Sequence, residues 1–185
     1  MEKIWLKQYP PGVPAEIDVN EYESLRDVFE ESVAKYASRP AFTCMGKSIT
    51  FAELDTLSAA FGAWLQGIGG GKGTRVALMM PNILQYPVCL FGTLRAGATV
   101  VNVNPLYTAR ELEHQLADSG AEVIVVLENF AATLAEVVAK TKVKHVIVAS
   151  MGELLGLKGV LVNFVVRRVK KMVKPWRIAN AIHVS

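Results

Sequence analysis

The chain contains two kinds of hydrophobic pattern, and they alternate from residue 75 onward. Short runs of uninterrupted apolar residues predict buried strands, whereas apolar residues three or four positions apart predict helices. The strands predicted in this way are 75–79, 99–103, 122–127 and 145–149, with helical spacing between them. Strands that are apolar on both faces are typical of a parallel sheet covered by helices on each side. The sequence therefore predicts a doubly wound α/β fold with a mostly parallel sheet.

Polar residues at the ends of these intervals predict where the helices begin. Asn82 is expected to cap a helix that runs to Ala96, and Asn129 is expected to cap one that ends near Lys142. The segment 108–111 reads T-x-x-E, which is the pattern of a capping box, and it predicts a helix that ends at Ser119-Gly120.

A smaller group of elements precedes this alternation. Residues 1–22 are rich in proline and lack periodicity, so we expect an extended arm. Ser24 is predicted to cap a first helix. Gly46-Lys47 predicts a hairpin turn, and Thr50 with Glu53 forms a second T-x-x-E capping box. The α/β fold is thus expected to carry a small helix–hairpin–helix preface.

The segment 152–174 also has helical spacing, and its residues separate into two faces. The broad apolar face consists of Val160, Leu161, Phe164, Val165 and Met172. The opposite, polar face consists of Asn163, Arg167, Lys170, Lys171 and Lys174. Arg168 projects into the apolar sector, and Pro175 is expected to end the helix.

These patterns divide the chain into three parts. We expect an extended arm at 1–22, an α/β subdomain at 23–151, and a basic amphipathic helix with a tail at 152–185.

Composition narrows the class of protein. Of the 185 residues, 51% are hydrophobic and 20% are charged, which is typical of a globular chain. Cys44 and Cys89 stand alone in apolar surroundings, which predicts reduced thiols in a cytosolic protein. The first residues lack the apolar core of a signal peptide, and no apolar run of about 18 residues is present. We therefore expect a cytoplasmic protein.

Charge is distributed unevenly along the chain. The net charge is +3, yet the last acidic residue is Glu153. Seven basic residues follow it: Lys158, Arg167, Arg168, Lys170, Lys171, Lys174 and Arg177. A mildly acidic body with a basic tail usually indicates a surface for a partner.

The basic helix has three interpretations. It can lie on a membrane, with cations facing anionic lipid and apolar residues in the interface. It can instead pack on its own protein and leave a solvated basic face. Nucleic-acid binding is the weakest interpretation, because no basic patch interleaved with aromatic residues is present, and we expect no nucleic-acid partner. The residues that would contact a membrane are Phe164, Arg167, Arg168, Lys170, Lys171 and Lys174.

The glycine-rich run, the histidines and one loop give weaker evidence for a functional site. The glycine-rich run 67–74 lacks the G-x-x-x-x-G-K-[ST] pattern and precedes a strand, whereas a phosphate-binding loop follows a strand and opens a helix. None of the three histidines has a partner at catalytic or metal-binding spacing. The loop with Asn104, Pro105 and Tyr107 leaves the carboxyl end of a strand, where ligands bind in open α/β sheets. It is either a rigid turn with a helix cap or a ligand contact.

Several segments, in order along the chain, resemble the opening of the adenylate-forming enzyme superfamily. These segments are 75–82, 85–87 and 91–98. A second group of segments resembles one subgroup more specifically, the bacterial long-chain fatty acid–CoA ligases. These segments are 101–108, 111–116, 118–121, Trp5-Leu6, Tyr9-Pro10 and 162–166. The resemblance covers essentially the whole chain.

The resemblance implies a two-step reaction. In this family, a fatty acid carboxylate attacks the α-phosphorus of ATP to give an acyl-adenylate and pyrophosphate. The thiol of coenzyme A then displaces AMP. Mg²⁺ assists the first step by neutralising phosphate charge. A homodimer and peripheral contact with the inner face of the membrane are further expectations.

The chain departs from the family pattern in one large respect. Family members are much longer, and they carry a phosphate loop, a Tyr-Gly-x-Thr-Glu segment, a ribose-binding Asp and a catalytic Lys that have no counterpart here. We therefore assign no catalytic, cofactor-binding or metal-binding residue to this chain and expect an inactive fragment. Two alternatives stay open. The chain can be a non-catalytic module that docks on a membrane surface through the basic helix, or part of another adenylate-forming enzyme, such as an aryl-CoA ligase or an adenylation domain.

Overall fold

The N-terminal part of the chain forms a helix, a hairpin and a second helix, as predicted. The structure is a computed structural model that describes residues 2–183. Ser24 caps the first helix by accepting a hydrogen bond from the backbone N–H of Asp27, and Thr50 with Glu53 forms the predicted capping box. The elements are α1 (Leu25–Tyr36), β1 (Pro40–Cys44), β2 (Lys47–Thr50) and α2 (Phe51–Gly67).

The hairpin turn lies one residue earlier than predicted. Cys44 pairs with Lys47, so the turn residues are Met45 and Gly46. Their φ angles are 51° and 77°, and two successive positive φ angles are typical of a type I′ turn. Such a turn matches the twist of the two strands, and Gly46 adopts its conformation without steric cost.

Helices and strands then alternate as predicted. The elements are β3 (Arg75–Met79), α3 (Gln85–Arg95), β4 (Thr99–Asn102), α4 (Ala109–Ser119), β5 (Val123–Leu127), α5 (Ala131–Val137), β6 (His145–Ala149), α6 (Leu157–Phe164) and β7 (Ile182–His183). The strands form one sheet in the order β4-β3-β5-β6-β7, and all of its pairs are parallel. The predicted doubly wound α/β class is confirmed.

The core lies on both faces of this sheet. β5 is buried along its whole length. Ile124 and Val126 pack against Leu112 and Leu116 of α4 and Leu134 of α5. The alternate residues of β5 face α2 and α3 on the other side. An uninterrupted apolar strand is needed at this position because neither face of the sheet is open to water.

Two helices begin later than their predicted caps. α3 begins at Gln85, and Asn82 makes no capping hydrogen bond. If α3 began at Asn82, the Pro87 ring would clash with the carbonyl group of Ile83, whereas the first turn of α3 tolerates proline. Asn129 lies in a 3₁₀ turn at Glu128–Phe130, and α5 ends at Val137.

The predicted helix 152–174 is shorter and interrupted. A 3₁₀ turn at Glu153–Leu155 precedes α6, and a π-helical turn at Val165–Val169 follows it. Gly156, with a φ of 63°, separates the 3₁₀ turn from α6. The helix ends well before Pro175, because backbone N–H groups of Lys170 and Met172 bond back to carbonyl groups of the π-helical turn.

The arm lies at the periphery, whereas the tail adds β7 beside β6 and packs Trp176, Ile178 and Ala181 against the core. Residues 2–22 contain one 3₁₀ turn, Ile4–Gln8, and none of them is buried. The last two residues of the predicted tail, 184 and 185, lie outside the described residues, as does Met1. The division of the chain at residues 22 and 151 stays a prediction.

Candidate functional site

The strand order marks one place where a ligand is expected. The chain enters the sheet at β3, adds β4 on one side and then continues with β5 on the other. In open α/β sheets, ligands bind outside the carboxyl ends of the strands at such a switch point. The segments that leave this point are 80–84 after β3 and 128–130 after β5.

The segment that follows β6 turns back across these carboxyl ends. Asn163 of α6 accepts a hydrogen bond from the backbone N–H of Gly152 at 2.8 Å. Its amide group also donates to the hydroxyl of Ser150 at 2.9 Å. One side chain thus ties α6 to the turn that leaves β6.

A contact between two glycines brings α6 close to that turn. The backbones of Gly152 and Gly159 approach so closely that a Cβ atom added to Gly159 would lie 1.8 Å from the carbonyl oxygen of Gly152. A Cβ added to Gly152 would lie 2.2 Å from the carbonyl oxygen of Gly159. No side chain fits at either position, so glycine is required at both.

An ion pair fixes the far end of this segment. The Nε atom of Arg167 donates to both carboxylate oxygens of Glu128, at 3.0 and 2.9 Å. Glu128 directly follows β5 and is only 6% exposed. A buried carboxylate needs a charged partner, and Arg167 provides it. The Arg167 side chain is still 48% exposed, so its predicted contact with a membrane stays a prediction.

The two predicted faces of α6 are therefore reversed. Asn163 and Arg167, from the predicted polar face, contact the protein, while most of the predicted apolar face is exposed. We call four of the exposed apolar side chains the apolar ridge. They are Leu157 (94% exposed), Val160 (72%), Leu161 (62%) and Phe164 (57%).

Exposed cations continue from the apolar ridge. Within residues 2–183, none of these side chains forms an ion pair: Arg168, Lys170, Lys171, Lys174 and Arg177. Lys158 donates to the carbonyl oxygen of Met45 at the hairpin turn. A role at a membrane stays a prediction for Phe164, Arg167, Arg168, Lys170, Lys171 and Lys174.

The loop after β4 satisfies its own polar groups. The side-chain oxygen of Asn104 accepts a hydrogen bond from the backbone N–H of Leu106 at 3.0 Å. Tyr107 is half-buried against the core, and Thr108 with Glu111 forms the predicted capping box. These contacts are sufficient to explain the loop as a rigid turn with a helix cap. A ligand contact by Asn104, Pro105 or Tyr107 stays a prediction.

The remaining candidate groups lie apart from one another. The glycine-rich run connects α2 to β3, as predicted, at the opposite edge of the sheet. His114 is exposed on α4, and His145 begins β6 with its ring edge-on to Trp64. In residues 2–183, no three His, Cys, Asp or Glu side chains are placed to hold a metal ion.

An apolar cavity of about 230 Å³ lies between α2, α3 and the turn after β6. Cys89 lines it, and burial raises the pKa of this thiol to about 12. Burial also raises the pKa of Glu153, although the Glu153 carboxylate accepts a hydrogen bond from the backbone N–H of Ser150. Both titratable groups in this cavity are therefore biased toward their uncharged forms.

Comparison with known proteins decides the family. A family model described as "AMP-binding enzyme" matches residues 29–183. This chain belongs to that family. It is 59% identical over 184 residues to a long-chain-fatty-acid–CoA ligase of Escherichia coli O157:H7, and 59% identical to one of Yersinia pestis. Each match covers 98% of this chain and 33% of the relative, so the chain spans about a third of those relatives.

Solved structures of AMP-binding enzymes share the fold. A long-chain-fatty-acid-CoA ligase from Archaeoglobus fulgidus matches with a TM-score of 0.60 and 29% identity, covering 68% of this chain and 27% of that one. An anthranilate CoA ligase in complex with anthranoyl-AMP matches with a TM-score of 0.66 and 24% identity, covering 69% and 25%. The second likeness concerns the fold alone.

The glycine-rich run does not have the setting of a phosphate-binding loop. The glycine-rich run lies between a helix and a strand. Its backbone N–H groups therefore lack the strand–loop–helix setting that binds phosphate. No metal-binding cluster occurs in the described part of the chain. The same residues contain no helix long and apolar enough to cross a bilayer.

Sequence reasoning missed the packing face of α6. Gly159, Asn163 and Arg167 are four residues apart and lie on one side of the helix. A glycine and two polar residues at this spacing could have indicated that this side of the helix packs closely on the protein. The hydrophobic pattern alone predicted that the opposite face would pack on the protein.

Proposed function

We propose that this chain forms the first α/β part of an ATP-dependent long-chain fatty acid–CoA ligase. The whole protein converts a fatty acid, ATP and coenzyme A to acyl-CoA, AMP and pyrophosphate through an acyl-adenylate. The observation that carries the proposal is 59% identity along 98% of this chain to a long-chain-fatty-acid–CoA ligase. Membership of the AMP-binding enzyme family supports the use of ATP.

Within that enzyme, we propose that the chain acts as a scaffold. Its parallel sheet and covering helices would carry the switch point between β3 and β5. We assign no catalytic, nucleotide-binding or metal-binding residue to the chain. Its described residues contain neither a phosphate-binding loop after a strand nor a metal-binding cluster.

The same proposal extends to the metal ion, the metabolic role, the oligomeric state and the location of the whole protein. We propose that Mg²⁺ accompanies ATP, because neutralising phosphate charge assists attack at phosphorus. We also propose a role in fatty acid metabolism, a homodimer, and a cytoplasmic protein in peripheral contact with the inner face of the membrane. The exposed apolar ridge supports the membrane contact.

The test uses the full-length protein and the 185-residue chain side by side. With palmitate, ATP, Mg²⁺ and coenzyme A, the full-length protein is expected to form the thioester, AMP and pyrophosphate, measured by mass spectrometry. The 185-residue chain is expected to form none of them. Thioester formation by the chain alone would contradict the assignment of the catalytic groups to the rest of the protein.

The alternative is a different adenylate-forming enzyme, such as an aryl-CoA ligase. The likeness to an anthranilate CoA ligase motivates it, but the identity of 24% is far below that to the fatty acid ligases. Palmitate and benzoate, supplied separately, discriminate between the two. Turnover with benzoate and none with palmitate would favour the alternative.

A further inference from the structure

The apolar cavity between α2, α3 and the turn after β6 has walls from several parts of the fold. Val125 of β5 and Ala149 of β6 line it from the sheet, and Leu154 lines it from the turn. Phe61 of α2 and Val88 of α3 line it from the helical layer. The cavity therefore belongs to the body of the α/β fold, and none of the residues of the apolar ridge lines it.

One polar atom of a lining residue has no partner. The Oε1 atom of Glu153 accepts a hydrogen bond from the backbone N–H of Ser150 at 2.7 Å. The Oε2 atom of the same carboxyl group is buried and has no hydrogen-bond partner within residues 2–183. Gln85, which also lines the cavity, donates to the carbonyl oxygen of Ser150 at 2.8 Å. A buried acceptor without a donor costs free energy, so a ligand that donates to Oε2 recovers that cost.

We propose that this cavity binds a small neutral alcohol or phenol, whose hydroxyl group donates a hydrogen bond to Oε2 of Glu153. An apolar protein cavity of about 150 Å³ is large enough to bind benzene. The cavity in this protein has a volume of about 230 Å³, so a benzene ring with one hydroxyl group fits in it.

The surroundings of the cavity disfavour a charged ligand. Burial raises the pKa of Glu153, and the carboxylate of Glu128 raises it as well. A carboxylate ligand would add negative charge to the same region and would lose its hydration against apolar walls. An ammonium group has three N–H donors, whereas Oε2 is the one unpartnered side-chain acceptor that the described residues supply there. A single hydroxyl donor matches that acceptor.

Water is a poor occupant of the same space. A buried water molecule usually makes about three hydrogen bonds. Apart from Glu153 and Gln85, the side chains that line the cavity are apolar or, at Cys89, a thiol. An alcohol needs only one acceptor for its proton, and its hydrocarbon body gains free energy by leaving water for the apolar walls.

The cavity opens beside α2. Ala60 is exposed, whereas every other residue that lines the cavity is buried or half-buried. A larger side chain at position 60 is therefore expected to narrow the opening. Ala59 precedes it on the same helix, is also exposed and does not line the cavity. The two alanines provide a matched pair of variants.

The first experiment follows methyl resonances of the full-length protein and of the 185-residue chain by NMR during ligand titrations. Phenol is compared with toluene, which has nearly the same shape but no hydroxyl group, and with benzoate, which is charged. Phenol is expected to shift the methyl resonances of Val88 and Leu154 and not those of Leu116 and Leu134, which pack on the other face of the sheet. Toluene is expected to bind about fivefold more weakly, because it leaves Oε2 without a donor. Benzoate is expected to leave the resonances of Val88 and Leu154 unchanged.

A set of variants tests the cavity itself. Ala60→Leu and Cys89→Leu add side-chain volume to the opening and to the interior, and each is expected to weaken phenol binding by about tenfold or more. Ala59→Leu is expected to bind phenol as the parent does. Circular dichroism checks that all variants keep the fold. If Cys89→Leu does not fold, Ala60→Leu and its control decide the result.

The role of Glu153 has its own measurement. Glu153→Met removes the carboxyl group, and it is expected to remove the preference for phenol over toluene. The ratio of the two affinities is the readout, because a general loosening of the cavity would weaken both ligands alike. A preference for phenol that survives in Glu153→Met would overturn the assignment of Oε2 as the acceptor.

Other outcomes overturn the site as a whole. They are equal binding of phenol and toluene to the parent, phenol binding that Ala60→Leu leaves unchanged, and equal shifts of methyl resonances on the two faces of the sheet. Shifts in the 185-residue chain that are absent in the full-length protein would show that the rest of the protein fills the cavity, and they would also overturn it. None of these measurements involves turnover, so a failure of the proposed ligase activity is recognised separately.

Discussion

At the residue scale, Arg167 and Arg168 are adjacent in the chain but have different surroundings. Arg167 pairs with the buried carboxylate of Glu128, while Arg168 is exposed and forms no ion pair within residues 2–183. Their sequence context is nearly the same, so only the position of Glu128 after β5 distinguishes them. A charge near the end of a helix is therefore not enough to identify a partner surface.

The ion pair yields a stability prediction. Arg167→Met leaves the carboxylate of Glu128 buried without a charged partner, and it is expected to lower the free energy of unfolding by about 2 kcal/mol. Urea denaturation measures the change. Arg168→Met is the control and is expected to stay within about 0.5 kcal/mol of the parent. Adding Glu128→Gln to Arg167→Met is expected to restore part of the loss, and equal effects of the two arginine variants would contradict this account.

The glycine contact yields a second prediction. Gly159→Ala places a methyl group against the backbone of Gly152 and is expected to cost about 1–3 kcal/mol of packing energy. Hydrogen exchange of the α6 amides should accelerate, because α6 must move away from the turn after β6. Gly67→Ala is the control, since no atom outside its neighbours lies within 4 Å of the new Cβ. Unchanged exchange in Gly159→Ala would show that the two backbones do not touch.

At the element scale, the two capping boxes were predicted correctly and the two asparagine caps were not. A T-x-x-E box is a local device, because the Thr and Glu side chains bond only to backbone and side-chain groups within four residues. The caps at Asn82 and Asn129 failed for different reasons. Pro87 shifts the start of α3, and the Asn129 amide donates to the carbonyl oxygen of Met172, far along the chain.

Cap residues provide a matched pair of variants. Thr50→Ala removes a real cap and is expected to cost about 1 kcal/mol of stability. Asn82→Ala removes no capping hydrogen bond and is expected to stay within about 0.5 kcal/mol of the parent. Thermal or urea unfolding of both variants measures the difference. A larger cost for Asn82→Ala than for Thr50→Ala would show that α3 begins at the earlier residue.

The capping box of α2 also gives a pH dependence. Hydrogen bonds from the backbone N–H and then from the hydroxyl of Thr50 lower the pKa of Glu53. Because its folded-state pKa is lowered, Glu53 stabilises the protein above its unfolded pKa of about 4.3, and the contribution is lost as the pH falls through the folded-state pKa. The stability difference between the parent and Glu53→Gln is therefore expected to shrink as the pH falls below about 4. An unchanged difference in acid would contradict the box.

At the scale of the whole molecule, the sheet order and the two-sided core define the AMP-binding fold. The match to the family model spans all five strands of the parallel sheet, while the apolar ridge lies on the side of α6 that the described residues leave open. α6 therefore contacts the carboxyl edge of the sheet on one side and carries the ridge on the other.

Thiol reactivity reports on the integrity of this whole structure. Cys89 is a buried residue of α3, and its pKa of about 12 leaves almost no thiolate at neutral pH. Iodoacetamide is expected to modify the half-buried Cys44 first, and to modify Cys89 only along the global unfolding curve in urea. Mass spectrometry of each cysteine measures both rates. Equal rates without denaturant would show that the cavity beside Cys89 opens locally.

Hydrophobic period and T-x-x-E spacing act over a few residues, so the fold class, strands β3 to β6 and the two capping boxes follow from the sequence alone. The sequence also shows the family resemblance, which the match of the family model to residues 29–183 confirms. Only the tertiary structure decided which face of α6 packs inward. Glycine contact, the hydrogen bonds of Asn163 and the buried charge of Glu128 outweigh the hydrophobic pattern there. The physical reason is that those partners, Gly152, Ser150 and Glu128, lie outside the helix, so its own pattern carries no information about them.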